Sequence, residues 1–351
     1  MLPVNHLIIG AGLSGLTLSY LLHRAGQSAT IIEARDRIGG RILTQREQGK
    51  APIEMGATWL GKKHTALVQL LKELGLPIFE QQLGEHAIYE PISTSPPQLV
   101  KLPPNDAPSF RIAGGSDRLI QSLYSSLPAD SVRPAEVLKK ISLEKDRLIV
   151  TTSKAQYQAQ RVISTLPPYL LVKTVTFAPG LPQELLSIAQ ATHTWMGDSI
   201  KVGLRSERPF WRQAGSSGTI FSNSGPIPEM YDHATASDDA FALKGFLNGA
   251  YHAAGRAARQ EVVLQQLSRY YGESIKTLKG YEEKVWRQEP YTFYDYDGYV
   301  LPHQHNGHAV YQQAYLEGRL FIAGSETAQQ FPGYMEGAVR SAQAVFQALN
   351  I

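Results

Sequence analysis

The chain contains no cysteine in 351 residues. That excludes disulfides, thiolate metal sites and any cofactor linked through a cysteine sulfur. It leaves the compartment open, because a secreted protein can also lack cysteine. An excess of one charge is missing too: 34 Lys+Arg stand against 31 Asp+Glu, with no basic run of five or six residues. A nucleic acid partner is therefore not expected. No apolar stretch reaches the roughly 18 residues that span a bilayer. The opening Met1-Leu2-Pro3-Val4-Asn5 has no basic, apolar or cleavage segment of a signal peptide. A helical pattern runs to the end at Ile351, so no C-terminal anchor is expected, and a cytoplasmic protein is the default.

What is present suits a globular enzyme. At 43% hydrophobic and 19% charged residues, the chain can bury a core that needs neither disulfide nor metal. Its length fits two domains at roughly 100–200 residues each. His6–Gly10 and Ala29–Glu33 read as buried strands flanking a helix at Ser14–Ala25. This βαβ unit implies a parallel sheet with a right-handed crossover. A helix over His64–Leu74 stops at Gly75, and the Pro- and Ser-rich stretch Tyr89–Ser109 reads as an irregular crossing between domains. A helix at Ser116–Leu127 and strands near Val137–Leu143, Arg147–Thr152 and Arg161–Thr165 follow. Strands at Ser199–Leu204 and Ala242–Leu247 and a helix at Arg256–Tyr271 mark a substrate domain without further glycine fingerprints. Strand Leu320–Ala323 and helix Gly337–Leu349 return to the first pattern. The expected class is α/β: a Rossmann-like, two-dinucleotide-binding-type domain (1–80, 112–190 and 289–351) with a smaller mixed α+β substrate domain (81–111 and 191–288).

Gly10, Gly12 and Gly15 form GxGxxG between the first strand and the first helix. The first permits a tight turn, the second lets backbone approach a pyrophosphate, and the third lets helix and strand close up. The helix start then offers free N–H groups and a positive dipole end to phosphate. Glu33 ends the second strand, 18 residues after Gly15, where a carboxylate can accept both ribose hydroxyls. That argues against a 2′-phosphate and hence against NADP. The continuation Glu33-Ala34-Arg35-Asp36-Arg37-Ile38-Gly39-Gly40-Arg41 adds a second glycine turn, which a nicotinamide site does not need. Arg41 is placed to pair with a phosphate. Arg35 and Arg37, taken alone, read as solvated surface.

The segments GAGLSGL and EARDRIGGR, followed by Gly56-Ala57-Thr58-Trp59, resemble the flavin-containing amine oxidases. The resemblance continues in order through AGGSDRLI at Gly114-Gly115, STLPP at Ser164–Pro168, GDSIKV at Lys201, Pro209-Phe210-Trp211, Trp286, AGSETA at Ala323–Ala328 and GYMEGA at Gly333–Ala338. It implies non-covalent FAD, because Asp295 stands where monoamine oxidases carry a flavin-linked cysteine. By the same resemblance Gly10, Gly12, Gly15, Glu33, Arg35, Gly40, Arg41, Gly56, Ala57, Thr58 and Gly324 belong to the cofactor site, and Val137 would hold the adenosine through its backbone. Glu326 would sit at the ribityl-phosphate end, Trp286 would pack near the flavin ring, and Met335 would offer its backbone N–H. The residues alone agree on the last point, since Gly333–Gly337 opens a helix whose positive end would stabilise negative charge on reduced flavin.

Lys201, in the apolar strand Asp198–Leu204, would by this resemblance approach flavin N5 through water and assist electron transfer to O2. Tyr334 and Tyr296, the latter ten residues after Trp286, would form two walls of an aromatic cage that attracts an ammonium and orients the amine. His303, His305 and His308 read as loop residues, with no acidic or cysteine partner at ligand spacing. The family's helical block before the AGGS segment is shortened here to about Gln81–Arg111, so the specificity wall is reduced or replaced. The expected activity is oxidation of an amine to an imine, with O2 reduced to hydrogen peroxide. Three alternatives stay open. One is desaturation of an apolar substrate, as in protoporphyrinogen oxidase, against which Tyr296 and Tyr334 speak; a second, an L-amino acid oxidase, needs an Arg clamp that Arg205, Arg208 or Arg212 would have to supply. A non-catalytic flavin-binding partner protein is the third.

Overall fold

The structure is a computed structural model that describes residues 1–350, and the side chains of all of these but 213–215. Ile351, the last residue of the expected FAD-binding domain, lies outside the described residues. Two large sheets carry the fold. The first has eight strands and centres on Leu2–Ile9, which pairs in parallel with Ala29–Ile32 on one side and Gln156–Ser164 on the other. Leu320–Ile322 adds in parallel beyond Gln156–Ser164. The helices Leu13–Arg24 and Met335–Ala348 pack together over this sheet, with Leu16, Leu18, Val339 and Ala342 fully buried between them and the strands. Burying such side chains stabilises by about 1.5–3 kcal/mol each.

Glycine sets the closeness of this layer. A Cβ on Gly15 would lie 2.0 Å from the Gly10 carbonyl oxygen, so only glycine lets the first helix sit against the strand end. The two turns that sequence reading separates are one structure: Gly10 N–H donates to Ile32 O, and Gly39 N–H to Ala11 O. Gly39 and Gly40 have φ of +103° and +56°, a region that side chains with a Cβ rarely adopt.

The second sheet has seven strands, among them Ile200–Ser206 between Phe241–Leu247 and Leu278–Val285, all antiparallel. The helix Arg256–Tyr271 has the bounds that its sequence pattern predicts. The stretch Tyr89–Ser109 is not the irregular crossing that its prolines imply. His86–Glu90 and Gln98–Lys101 form a hairpin, and His86–Glu90 joins the second sheet through Ile220–Ser222. The prolines occupy the turns and leave the strands free to pair. Ile53–Glu54, paired with Thr44–Gln45 in a separate two-stranded sheet, packs on Ile200–Ser206 of the second sheet: a Cβ on Gly203 would lie 2.4 Å from the Ile53 side chain. Among the described residues, no helix is long and apolar enough to cross a membrane.

Candidate active site

One cavity of about 580 Å³ runs from the Gly10–Ser14 turn, past the strand ends, to Lys201, Trp286 and Tyr334. Its position at the carboxyl ends of parallel strands is where α/β sheets bind ligands. Glu33 is buried at its dinucleotide end. One carboxylate oxygen accepts from Ala11 N–H at 2.8 Å and the other from Arg35 N–H at 2.9 Å, which fixes the group while a lone pair on each oxygen stays open. Ser14 Oγ, in the first turn of the helix and on the cavity wall, is buried and has no partner in the protein. No side chain caps this helix or the helix starting at Met335. Two uncapped helix starts and an orphaned hydroxyl facing one cavity fit an anionic dinucleotide.

Several expected contacts differ in detail. Arg35 is not solvated surface. Its guanidinium pairs with Glu289 at 2.9 Å and donates to Thr292 Oγ1 at 2.7 Å, tying the second turn to the 289–292 loop. Arg37 is half-buried and donates to the Ile38 and Gly40 carbonyls. Arg41 lines the cavity, but it grips Glu326 in a two-pronged ion pair at 2.5 and 2.7 Å and also donates to Ser325 Oγ and Trp195 O. Burial would raise the Glu326 pKa, but the Arg41 charge and hydrogen bonds hold it below its ordinary value. Glu326 thus braces Arg41. Val137 borders the cavity with its backbone already engaged: its N–H donates to Ser153 Oγ and its carbonyl accepts from Ser153 N–H.

At the other end, Gly56 accepts two donors on one carbonyl, Lys201 Nζ and Thr58 Oγ1. A Cβ on Gly56 would lie 2.1 Å from Arg41 O, so only glycine permits the turn. Ala57, Thr58 and Gly324 line the same cavity. Trp286 is buried there and anchored through Nε1 to Met55 O at 2.7 Å. Lys201 is 5% exposed, and its ammonium lies 5.0 Å from the Phe246 ring centre. Burial pushes its pKa down to about 8, against the pull of Glu54 and Glu229.

The two tyrosines stand in different surroundings. Tyr334 lines the cavity with Trp195 at 6.1 Å, and His303 stacks near-parallel to it at 6.3 Å. His303 in turn lies 3.9 Å from Trp195, so it is part of an aromatic stack rather than a plain loop residue. Tyr296 is not among the cavity-lining residues. It packs against Tyr169 at 4.6 Å, and its hydroxyl accepts from Thr194 N–H at 2.7 Å. Tyr296 follows a loop whose path depends on Tyr169, 127 positions earlier, and no local spacing encodes that. Of the cavity residues missed from sequence, Ser14 was legible as a hydroxyl inside GxGxxG; Trp195 and Glu229 carry no local signal.

This βαβ sheet with a glycine-turn cavity continuing to a buried lysine defines a dinucleotide-binding protein. Residues 13–94 and 92–350 match the Flavin containing amine oxidoreductase family, and the chain belongs to it. It is a flavoprotein oxidoreductase with FAD as cofactor. Among similar curated proteins is Amine oxidase [flavin-containing] B of Homo sapiens, 25% identical, with 98% of this chain and 86% of that protein aligned. Amine oxidase [flavin-containing] A of Sus scrofa is 24% identical over 99% of this chain and 86% of its own length. In fold, the chain is similar to putrescine oxidase bound to putrescine, with a TM-score of 0.86, 23% identity and 99% coverage of both chains. Cyclohexylamine oxidase from Brevibacterium oxydans IH-35A also superposes at 0.86, with 20% identity over 99% of this chain and all of that one.

Proposed function

We propose that the chain oxidises an amine at the Lys201–Tyr334 end of the cavity and passes the electrons to O2, giving hydrogen peroxide. The observation that carries this reading is the continuity of one cavity from the Gly10–Ser14 phosphate turn to a buried amine and an aromatic stack. Bound FAD supplies a two-electron acceptor. Gly12 and Ser14 would meet its pyrophosphate, Glu33 would accept its ribose hydroxyls, and the uncapped Met335 helix start would stabilise its negative charge. Tyr334 and Trp195, which line the cavity, present ring faces that attract an ammonium and orient it, worth about 0.5–2 kcal/mol. The amine loses a hydride equivalent from its α-carbon and a proton from nitrogen. Water then hydrolyses the imine to a carbonyl compound and ammonia or an amine, and O2 takes up two electrons and two protons. Lys201 holds a proton close to neutral pH beside the reacting space, which suits it to assist the oxygen step.

The test is anaerobic mixing of the FAD-loaded protein with amines, polyamines and amino acids, followed at ~450 nm, where oxidised flavin absorbs. Bleaching by an amine, with recovery and peroxide on admitting air, is expected. No bleaching by any amine, with FAD bound, would discard the reading in favour of a non-catalytic flavin partner or a desaturase. Lys201→Met is expected to slow recovery in air without releasing FAD.

A further inference from the structure

A second lysine lies beside Lys201, and the amine chemistry above does not use it. Lys244 is completely buried in Phe241–Leu247, the strand next to Ile200–Ser206. The antiparallel register sets Lys201 opposite Phe246 and Lys244 opposite Gly203. Side chains two apart on a strand share a face, so Lys201, Lys244 and Phe246 project to the same side of the sheet. Glycine at 203 leaves room on that face for the Ile53 and Met55 side chains, which pack against it.

Both amines end on the same turn. Lys244 Nζ donates to Thr58 Oγ1, Thr58 Oγ1 donates to Gly56 O at 3.1 Å, and Lys201 Nζ donates to that same carbonyl. The Phe246 ring centre is 5.0 Å from one amine and 5.5 Å from the other, and the Trp59 ring lies over Lys244 at 3.8 Å. Two ammonium ions cannot both be sheltered there, because desolvation and mutual repulsion oppose the second charge. Glu54 and Glu229 face the pair with negative charge, and Arg111 opposes them with positive charge. Adjacent His233 is held well below its ordinary pKa by burial, Arg111 and the lysines, so it brings no further charge.

We propose that Lys244 is a positioning residue for Lys201, the two amines forming one hydrogen-bonded unit over the Gly56–Thr58 turn. Burial, then the Lys201 charge, pushes the Lys244 pKa far below its ordinary value, while the Lys244 amine, as acceptor, raises that of Lys201. One proton thus resides mainly on Lys201, on the cavity side, and Lys244 holds that ammonium in place. The oxygen-assisting role of Lys201 rests on the function proposed above; the pairing itself does not.

The test uses FAD-loaded protein with lysine labelled at the ε-carbon, with the two signals assigned through Lys201→Met and Lys244→Met. In the native protein the two ε-carbon signals are expected to titrate together. In Lys244→Met, which fills the space without an acceptor, the Lys201 midpoint is expected to fall by about one pH unit, a tenfold shift. Lys244→Arg, a fixed cation with no acceptor, is expected to lower it further. An unchanged Lys201 midpoint in a folded, yellow Lys244→Met protein would reduce Lys244 to packing. Should that variant fail to fold, a native Lys244 signal titrating by itself, at an ordinary lysine value, would overturn the pairing. Oxygen kinetics unaffected by Lys201→Met would refute the function and leave the titration result intact.

Discussion

Replacing Lys201 by methionine is expected to stabilise the protein at neutral pH while impairing its chemistry. Lys201 is 5% exposed, and burial lowers its pKa to about 8 from 10.5. Between those values the unfolded chain binds more protons than the folded one, so stability rises with pH across that window. Below pH 8 the side chain is charged in both states and the full penalty applies. That penalty is about 3 kcal/mol at roughly 1.4 kcal/mol per unit. Methionine has similar length and carries no charge, and the Gly56 carbonyl keeps the Thr58 hydroxyl as donor. The variant is therefore expected to exceed the native protein by about 3 kcal/mol at pH 7, and by only about 1 kcal/mol at pH 9.5. Urea unfolding at several pH values, with FAD in fixed excess, measures the difference; equal FAD affinities cancel the cofactor's own contribution. A difference that stays constant from pH 7 to 9.5, or a less stable variant at pH 7, would refute the assignment of a buried charge.

Four further outcomes follow from the site. Ser14→Ala removes a hydroxyl with no protein partner, so FAD should bind about tenfold more weakly, a loss of about 1.5 kcal/mol, while urea stability without FAD is unchanged. Arg41→Ala leaves the Glu326 carboxylate buried and unpaired, and should cost about 3–5 kcal/mol in urea unfolding; Arg41→Ala with Glu326→Gln should recover much of that. Tyr334→Ala should raise amine KM by about 2- to 30-fold. Tyr296→Phe should instead lower stability by about 1–3 kcal/mol, through the unsatisfied Thr194 N–H, with little effect on KM.

The cofactor end was legible in the sequence because its constraints are local. A turn that meets Gly10, a helix that must touch a strand at Gly15, and a carboxylate at the next strand end all lie within 33 residues, and each demands one residue type for a steric or electrostatic reason. The reaction end was legible only in part, because its constraints are not local. His86–Glu90 becomes a strand by pairing with Ile220–Ser222, more than 100 residues away, and the prolines around it report only its turns. Arg41 has the charge to meet a phosphate, but its orientation is decided by Glu326, which the chain delivers 285 positions later.

Lysine shows the same limit most sharply. On an isolated strand, Lys201 and Lys244 are each what a solvent-facing position looks like, and the sequence supports surface exposure for either. Their burial is imposed by the Gly56–Trp59 turn, which lies outside their sheet and caps both amines. Read as a pair, however, they carry a usable signal: two lysines on neighbouring antiparallel strands, flanked by apolar residues and set on one face by the register, with glycine opposite one and phenylalanine opposite the other. A sheet does not place two amines there for solubility, because each costs desolvation that only the linked Thr58 and Gly56 acceptors and nearby carboxylates offset. The position of such a pair at the wall of a flavin cavity is what a reaction needing one proton, held at one place, requires of the fold.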